Sequence, residues 1–515
     1  LAAGVASLAA LLTPAVPLWV ALAGWMAAGL GTGLFHSSLS VLALEITRAA
    51  DDSAVVDVDA IDPKSYSDND KQNVLSLSVP LGGTDPFRPG RGADGTRLLD
   101  LDAGRVWCAT TGTGVFLEAR PGETVTSYVA FGAVDVESVI AFVPQTDFVA
   151  VRVIGRDDAA GLGIDFAAMD KELEKQKPES SLAAPVAIER YTRAIDGSTA
   201  TLATDKDVTV TLSSDVTFDS DSYNLTAAAD AQLQTVADQI AQYPDGGSLD
   251  IVGHTDDVAD DAHNQKLSED RAAAVKDRLA QLADLASWQV TTTGKGESEP
   301  AVKDTTDEAR AANRRVVITL TPTSGTQTST APSATPDSSS GLPKPKGPVG
   351  TGPDGVTVNG PDNKGQLTIT LPQVVRTGGL LLAQLTATTG PGGTGSTGLN
   401  MWLTDPLGPA ITALTQSARG ENGGMGAVEI SEGLTLLADG QRVYPADYLP
   451  PGGDWHRPLT ELNAADSLKE GAAITICVAW PDTGQDTLTL DHAAPRTRGI
   501  SSYAYRLTDI PVTES

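Results

Sequence analysis

The sequence predicts a multidomain chain in which an N-terminal transmembrane segment precedes a β-sandwich, a compact α/β domain and a second β-sandwich. Three observations predict it. From Leu1 to Leu44 there is no Asp, Glu, Lys or Arg. Two long regions alternate apolar and polar residues with a period of two, as half-buried strands do. Between them, over residues 205–322, the pattern changes to strands interleaved with amphipathic helices. A chain of 515 residues also exceeds what one core supports, at about 100–200 residues per domain.

A helix needs about 20 apolar residues to cross a bilayer. Pro14 and Pro17 divide the apolar run, so the spanning helix is predicted from Leu18 to Leu44, inside a hydrophobic segment covering residues 1–48. A secretory signal peptide would open with basic residues and end at a small-residue cleavage site. This run has no early Lys or Arg and continues too long, which fits a fragment or a displaced reading frame. Gly24, Gly29, Gly31 and Gly33 are the small residues that let helices pack closely in lipid. The stretches Ala28–Leu34 and Leu39–Leu44 resemble a late helix of a major-facilitator transporter. A plain membrane anchor and a transporter remnant both stay open, and either puts the acidic chain from Asp51 onward outside the cytoplasm.

Residues 53–156 carry the first sandwich pattern. Val56, Val58 and Ala60 alternate with Asp57 and Asp59, Leu75, Leu77 and Val79 with Ser76 and Ser78, and Val149, Val151 and Val153 with Ala150 and Arg152. Residues 364–515 repeat it: Leu367, Ile369 and Leu371 form one face, and Ile474, Ile476, Val478 and Trp480 another. Both regions resemble immunoglobulin-like domains of secreted proteins, which implies contacts with other envelope proteins or a spacing role. Residues 157–204 read as a connecting segment, with a polar stretch at Lys171–Pro178. Residues 323–363, rich in Ser, Thr, Pro and Gly, read as a linker. The Gly-rich run from Gly390 to Gly398 reads as a loop.

A net charge of −30 and a pI near 4.4 argue against nucleic acid as a partner, because phosphate backbones are met with basic patches. Cys108 and Cys477 lie 369 positions apart, with none of the close pairing of a zinc or redox motif. Two buried free thiols and a disulfide between domains both fit. No nucleophile elbow, His-Glu-x-x-His or phosphate loop occurs, so neither an enzyme nor a cofactor is expected.

In the central domain, Val208–Leu212 and the short run Val216–Phe218 read as strands. Leu233, Val236, Ala237 and Ile240 then make one apolar stripe of a helix from about Leu225 to Tyr243, stopped by Pro244 and Gly246-Gly247. A strand at Leu249–Val252 follows. A second helix carries Leu267, Arg271, Val275 and Leu279, with a cap expected near Ser268 and acids Glu269 and Asp270 in its first turn. Gln289–Thr292 and Val316–Leu320 supply the last strands. The order β-α-β-α-β-β implies a mixed sheet with helices on one face.

These residues resemble the OmpA-like peptidoglycan-binding domains. The likeness is carried in order by Gly253-His254-Thr255-Asp256, Asn264, Leu267-Ser268, Arg271-Ala272, Gly294-Lys295-Gly296-Glu297, Pro300 and Asn313-Arg314-Arg315-Val316. It implies a diaminopimelate-containing peptide stem as ligand: Asp256 takes the ammonium and Arg271 grips the carboxylate, a task for which a forked, always-charged guanidinium is suited. Asn264, Leu267, Phe218, Asp219 and Thr255 complete the pocket. Asn313, Arg314 and Arg315 act as supporting residues, more scaffold than ligand contact. A structural Asp256–Arg271 ion pair is the plainer alternative. His254 reads as a hydrogen-bonded structural histidine. The loop Asp257–Asp261 departs from the family in its acidity; it lacks the spacing of a calcium loop and reads as solvated surface.

Together these features predict non-covalent anchoring of an envelope protein to the cell wall, with no metal and no catalysis. The rival is a transporter-linked or sensory membrane protein that wall binding merely positions; a peptidoglycan hydrolase ranks behind both.

Overall fold

The computed structural model describes residues 8–9, 18–22, 26–28, 39–48, 75–76, 95–109, 118–119, 124–159, 164–176, 183–326, 342–359, 366–390, 419, 421, 431–462, 470–471, 473–493 and 504–515. Among these, strands dominate.

The transmembrane helix predicted from Leu18 to Leu44 is corrected. The described residues there are strands, Leu18–Leu22, Met26–Ala28 and Leu39–Arg48. The last pairs antiparallel with Thr124–Gly132, from Leu39 opposite Gly132 to Thr47 opposite Thr124. Val41 and Leu42 are buried, and the Ser40 hydroxyl accepts the Val134 amide at 3.0 Å. No helix among the described residues is long and apolar enough to cross a membrane. An apolar run without a period fits a buried strand as well as a helix, and glycines disfavour the helix.

The first sheet runs from these strands through Asp147–Gly155 and Ser138–Val143 to Arg97–Asp100, Arg105–Cys108 and Val186–Ala187. Its core gathers Leu42, Leu98, Trp107, Phe131 and Val151. Val151 is buried between exposed Ala150 and Arg152, as the alternation predicts. The runs at Val56–Ala60 and Leu77–Val79 lie outside the described residues, as does most of the expected linker.

The central domain contains strand β1 (Val208–Ser213), helical turn α1 (Ser214–Thr217), helix α2 (Ala229–Ala241) and strand β2 (Gly247–Gly253). Helix α3 (Asp261–Leu282), strand β3 (Trp288–Gly294), helix α4 (Asp307–Asn313) and strand β4 (Arg315–Pro322) follow. The sheet order is β3-β2-β4-β1, with β2 and β3 parallel and the other pairs antiparallel. Leu233, Val236, Ala237 and Ile240 of α2 and Ala272, Val275 and Leu279 of α3 are buried, most of them against Val210, Leu249, Ile251 and Ile318 of the sheet.

Three local expectations change. Val216-Thr217 belongs to a helical turn rather than a strand: Phe218 N donates to Ser214 O, and the Thr217 hydroxyl to Ser213 O. Three residues are too few for alternation to distinguish the two. Helix α3 begins at Asp261, capped by Asp260, whose carboxylate accepts the His263 amide at 3.0 Å. Ser268 is therefore interior and fully buried, accepting the Gly296 amide. The run Asn313-Arg314-Arg315 does not simply open a strand, because Asn313 ends α4, a helix absent from the sequence reading; Thr306 caps it by accepting the Ala309 amide.

The segment assigned to a connection also differs. Arg190–Ala194 and Thr199–Ala203 are strands that extend the central sheet beyond β1 and pair onward with Gln441–Val443 of the C-terminal region. There, Ala473–Pro481 is buried on both faces. Ile474, Ile476, Val478 and Trp480 fill the core of the last region, while Cys477 and Ala479 pack with Leu99, Val106 and Phe142 of the first. Both cysteines are free thiols, Cys477 buried and Cys108 partly so.

Candidate functional site

The carboxyl ends of β2 and β3 and the start of α3 converge beside the turn after β1. Gly253 and Gly294 permit this approach: a Cβ on Gly253 would stand 2.1 Å from the Ser268 carbonyl, and one on Gly294 would stand 2.5 Å from the Ser268 hydroxyl. The result is a cleft of about 760 Å³. It is lined by Phe218, Asp219, Thr255, Asp256, Asn264, Leu267, Arg271 and Arg314, so eight of the ten residues singled out from the sequence meet here.

Arg271 sits on the buried face of α3, 4% exposed. Its Nε donates to the Ser222 carbonyl at 2.9 Å and its guanidinium lies 5.1 Å from the Phe218 ring centroid. Its two terminal nitrogens make no hydrogen bond among the described residues. Burial lowers its pKa, against the pull of Asp215 and Asp221. No ion pair joins it to Asp256. Asp256 instead accepts from Arg314 at 2.7 Å and, through its other oxygen, from the Val258 amide at 3.3 Å. Arg314 also grips both oxygens of Asp215 at 2.6 Å. Donating those hydrogen bonds, first to Asp215 and then to Asp256, raises its pKa well above the ordinary value. Arg314 is thus neutralised twice, and Arg271 supplies the cleft's unengaged guanidinium donors. Asp219, an exposed residue of the same lining, has a carboxylate with no partner among the described residues.

Asn264 is buried, and its side-chain amide reaches the Asp256 carbonyl at 3.1 Å and Glu297 at 2.7 Å. Leu267 contributes half-buried apolar surface. Thr255 is held through its amide to the Gly296 carbonyl, and its buried hydroxyl has no partner. Asn313 and Arg315 stand outside the cleft: Asn313 clamps both backbone atoms of Val302, and Arg315 donates to the Glu299 carbonyl at 3.0 Å. His254 is buried and neutral, its pKa lowered to about 4 by burial and by Arg315. Its Nδ1 has no partner, which departs from the expected hydrogen-bonded histidine. The acidic loop has structural partners: Asp257 pairs with Arg310 at 2.6 Å and Asp260 caps α3.

Sequence reasoning missed Asp215, the Ser222 carbonyl and the Asp221–His263 contact of 2.8 Å that ties the loop after Phe218 to α3. Only the three-dimensional path of that loop brings them in.

The OmpA family model matches residues 217–314. Outer membrane porin F of Pseudomonas aeruginosa is 44% identical over 102 residues, which are 20% of this chain and 29% of the porin. A lipoprotein of Escherichia coli named YfiB is 33% identical over 111 residues, 21% of this chain and 68% of the lipoprotein. Among solved structures, the cell wall anchor of the T6SS from Pseudomonas aeruginosa is 30% identical, covering 24% of this chain and 88% of that one with a TM-score of 0.22. The chain therefore spans under a third of the porin it matches and most of the lipoprotein. Through its central domain, it belongs to the OmpA family.

Proposed function

We propose that the central domain binds peptidoglycan non-covalently, through the zwitterionic end of a diaminopimelate residue, and thereby anchors an envelope protein to the wall. The observation that carries this reading is the buried Arg271, whose free terminal nitrogens face a cleft that also holds the carboxylates of Asp219 and Asp256. A desolvated guanidinium is costly unless an anion meets it. A carboxylate bound in a fork to Arg271, with its neighbouring ammonium between Asp256 and Asp219, satisfies both signs of charge. Leu267 and Phe218 would contact the methylene chain. The relatives support the setting, since one is by name an outer membrane porin and another a lipoprotein.

In this reading Arg314 does not touch ligand; it orients Asp256. The flanking β regions, read as immunoglobulin-like sandwiches, space the domain or contact other envelope proteins. The function is binding, with no bond made or broken.

Co-sedimentation of the full chain with purified diaminopimelate-type cell walls tests this. Retention in the pellet that free diaminopimelate competes away supports it; retention unaffected by free diaminopimelate removes this cleft as the cause.

A further inference from the structure

The two groups that orient Arg271 lie on one short loop. Phe218, whose ring centroid is 5.1 Å from the guanidinium, begins it, and the Ser222 carbonyl, which accepts from Arg271 Nε at 2.9 Å, follows. The loop is closed on itself. Phe218 bridges to Leu225, the Asp219 amide donates to the Asn224 carbonyl at 3.1 Å, and the Asn224 amide donates to the Ser222 hydroxyl at 2.9 Å. Within it Asp221 has φ 50°, a left-handed conformation that Asp adopts more readily than most residues. On the facing helix α3, His263, Leu267 and Arg271 fall at i, i+4 and i+8, so they stack on successive turns of one face, and all three line the cleft. The loop meets both ends of this stripe. Ser222 holds Arg271, and Asp221 Oδ1 accepts from His263 Nε2 at 2.8 Å. Only the backbone amide of His263 serves the Asp260 cap, which leaves its ring to the loop.

We propose that His263 is a positioning residue for wall binding: through Asp221 it pins the loop against α3, and the pinned loop holds the Arg271 fork in the plane that meets the ligand carboxylate. This rests on the peptidoglycan-binding reading above and deepens it. Arg271 is committed to protein through Nε alone, so the direction of its terminal nitrogens follows from the Ser222 carbonyl and the Phe218 ring, and both belong to the loop. A carboxylate bound by two parallel N–H bonds depends on that plane, and a fork already oriented loses less freedom when it binds. The side chains of His263 and Asp221 are 44% and 71% exposed, so their contact adds little to the stability of the fold. Its effect is on where the loop rests.

The test is calorimetric titration of the full chain with a diaminopimelate-containing muropeptide, comparing wild type, His263→Ala, His263→Gln, Arg271→Lys and the double variant His263→Ala/Arg271→Lys. His263→Ala should weaken binding about threefold, the scale of an exposed ion pair, with an unchanged melting temperature. His263→Gln, whose amide still donates toward Asp221, should bind as wild type does. The double variant should bind no more weakly than Arg271→Lys alone, because a lysine ammonium is a point charge with no plane to hold. Wild-type affinity in His263→Ala, failure of His263→Gln to restore it, or the same threefold loss on the Arg271→Lys background overturns the proposal alone. Failure of the folded wild type to bind overturns the wall-binding reading and this inference with it.

Discussion

Arg271 is the residue on which the account turns, since it is buried and committed to protein through Nε alone. Arg271→Lys keeps the charge but loses the fork, and truncating one partner of a buried charge pair costs about 2–5 kcal/mol. Affinity for a diaminopimelate muropeptide is therefore expected to fall by at least about tenfold in the Lys variant, read by calorimetry, with the melting temperature little changed. Arg314→Ala acts differently. It releases Asp215 and Asp256 together, so binding should weaken while Asp215→Asn, which leaves the Asp256 contact in place, weakens it less. His254 supplies a pH signature. Its folded pKa of about 4 lies below the ordinary 6.5, so the unfolded chain binds more protons between those values. Stability should fall as pH drops from about 6.5 toward 4, and His254→Asn should flatten that slope in denaturant titrations at several pH values. At this scale Asp256, Asn264 and Arg271 were legible because they lie in a long ordered set of motif residues. Asp215 was not, because its pairing with Arg314 joins residues 99 positions apart through a turn that has no sequence signature.

At the scale of elements, periodicity located α2, α3 and the four strands of the central domain, but it missed α4, read the turn α1 as a strand and misplaced the start of α3. Ser268 followed by two acids has the form of a cap, yet Asp260, about two turns earlier, makes the bond. The acidic loop that looked like mere solvated surface is partly that cap. Asp260→Ala should cost about 1 kcal/mol in urea denaturation, and Ser268→Ala should cost at least as much, because it leaves the buried Gly296 amide without its acceptor. The face Ile474, Ile476, Val478 and Trp480 was legible as alternation. Burial of the opposite face was not, because Cys477 and Ala479 pack with Leu99, Val106 and Phe142, more than 300 positions earlier in the chain. The N-terminal apolar run misled for a related reason: hydrophobicity reports burial, and a sheet buries Val41 and Leu42 as a bilayer would.

Across the whole molecule, the first and last β regions share a core containing Leu99, Val106, Phe142, Leu382, Tyr448 and Cys477. Arg97, 1% exposed, bridges them by donating to the Pro458 and Thr460 carbonyls at 3.1 and 3.0 Å. A second tie is polar. Arg419 pairs with Glu189 and Asp447, and His456 contacts Glu189 at 3.2 Å and Glu421 at 2.7 Å. Burial opposes protonation of His456, but hydrogen bonds with the two glutamates outweigh it and hold the pKa up at about 9. Because that value exceeds the ordinary 6.5, this contribution is full below pH 6.5 and is lost as pH rises through about 9. His456→Gln should therefore lessen the alkaline loss of thermal stability. Composition and linker pattern suggest several units, whereas the packing of the first β region against the last has no signal in the sequence. The measurement that bears most directly on the central claim is calorimetric titration of the full chain with a diaminopimelate-containing muropeptide, beside Asp256→Ala and Arg271→Ala. Saturable one-site binding, abolished in both folded variants, is the predicted result; no binding by the folded wild type, or binding that both variants retain, would contradict the account.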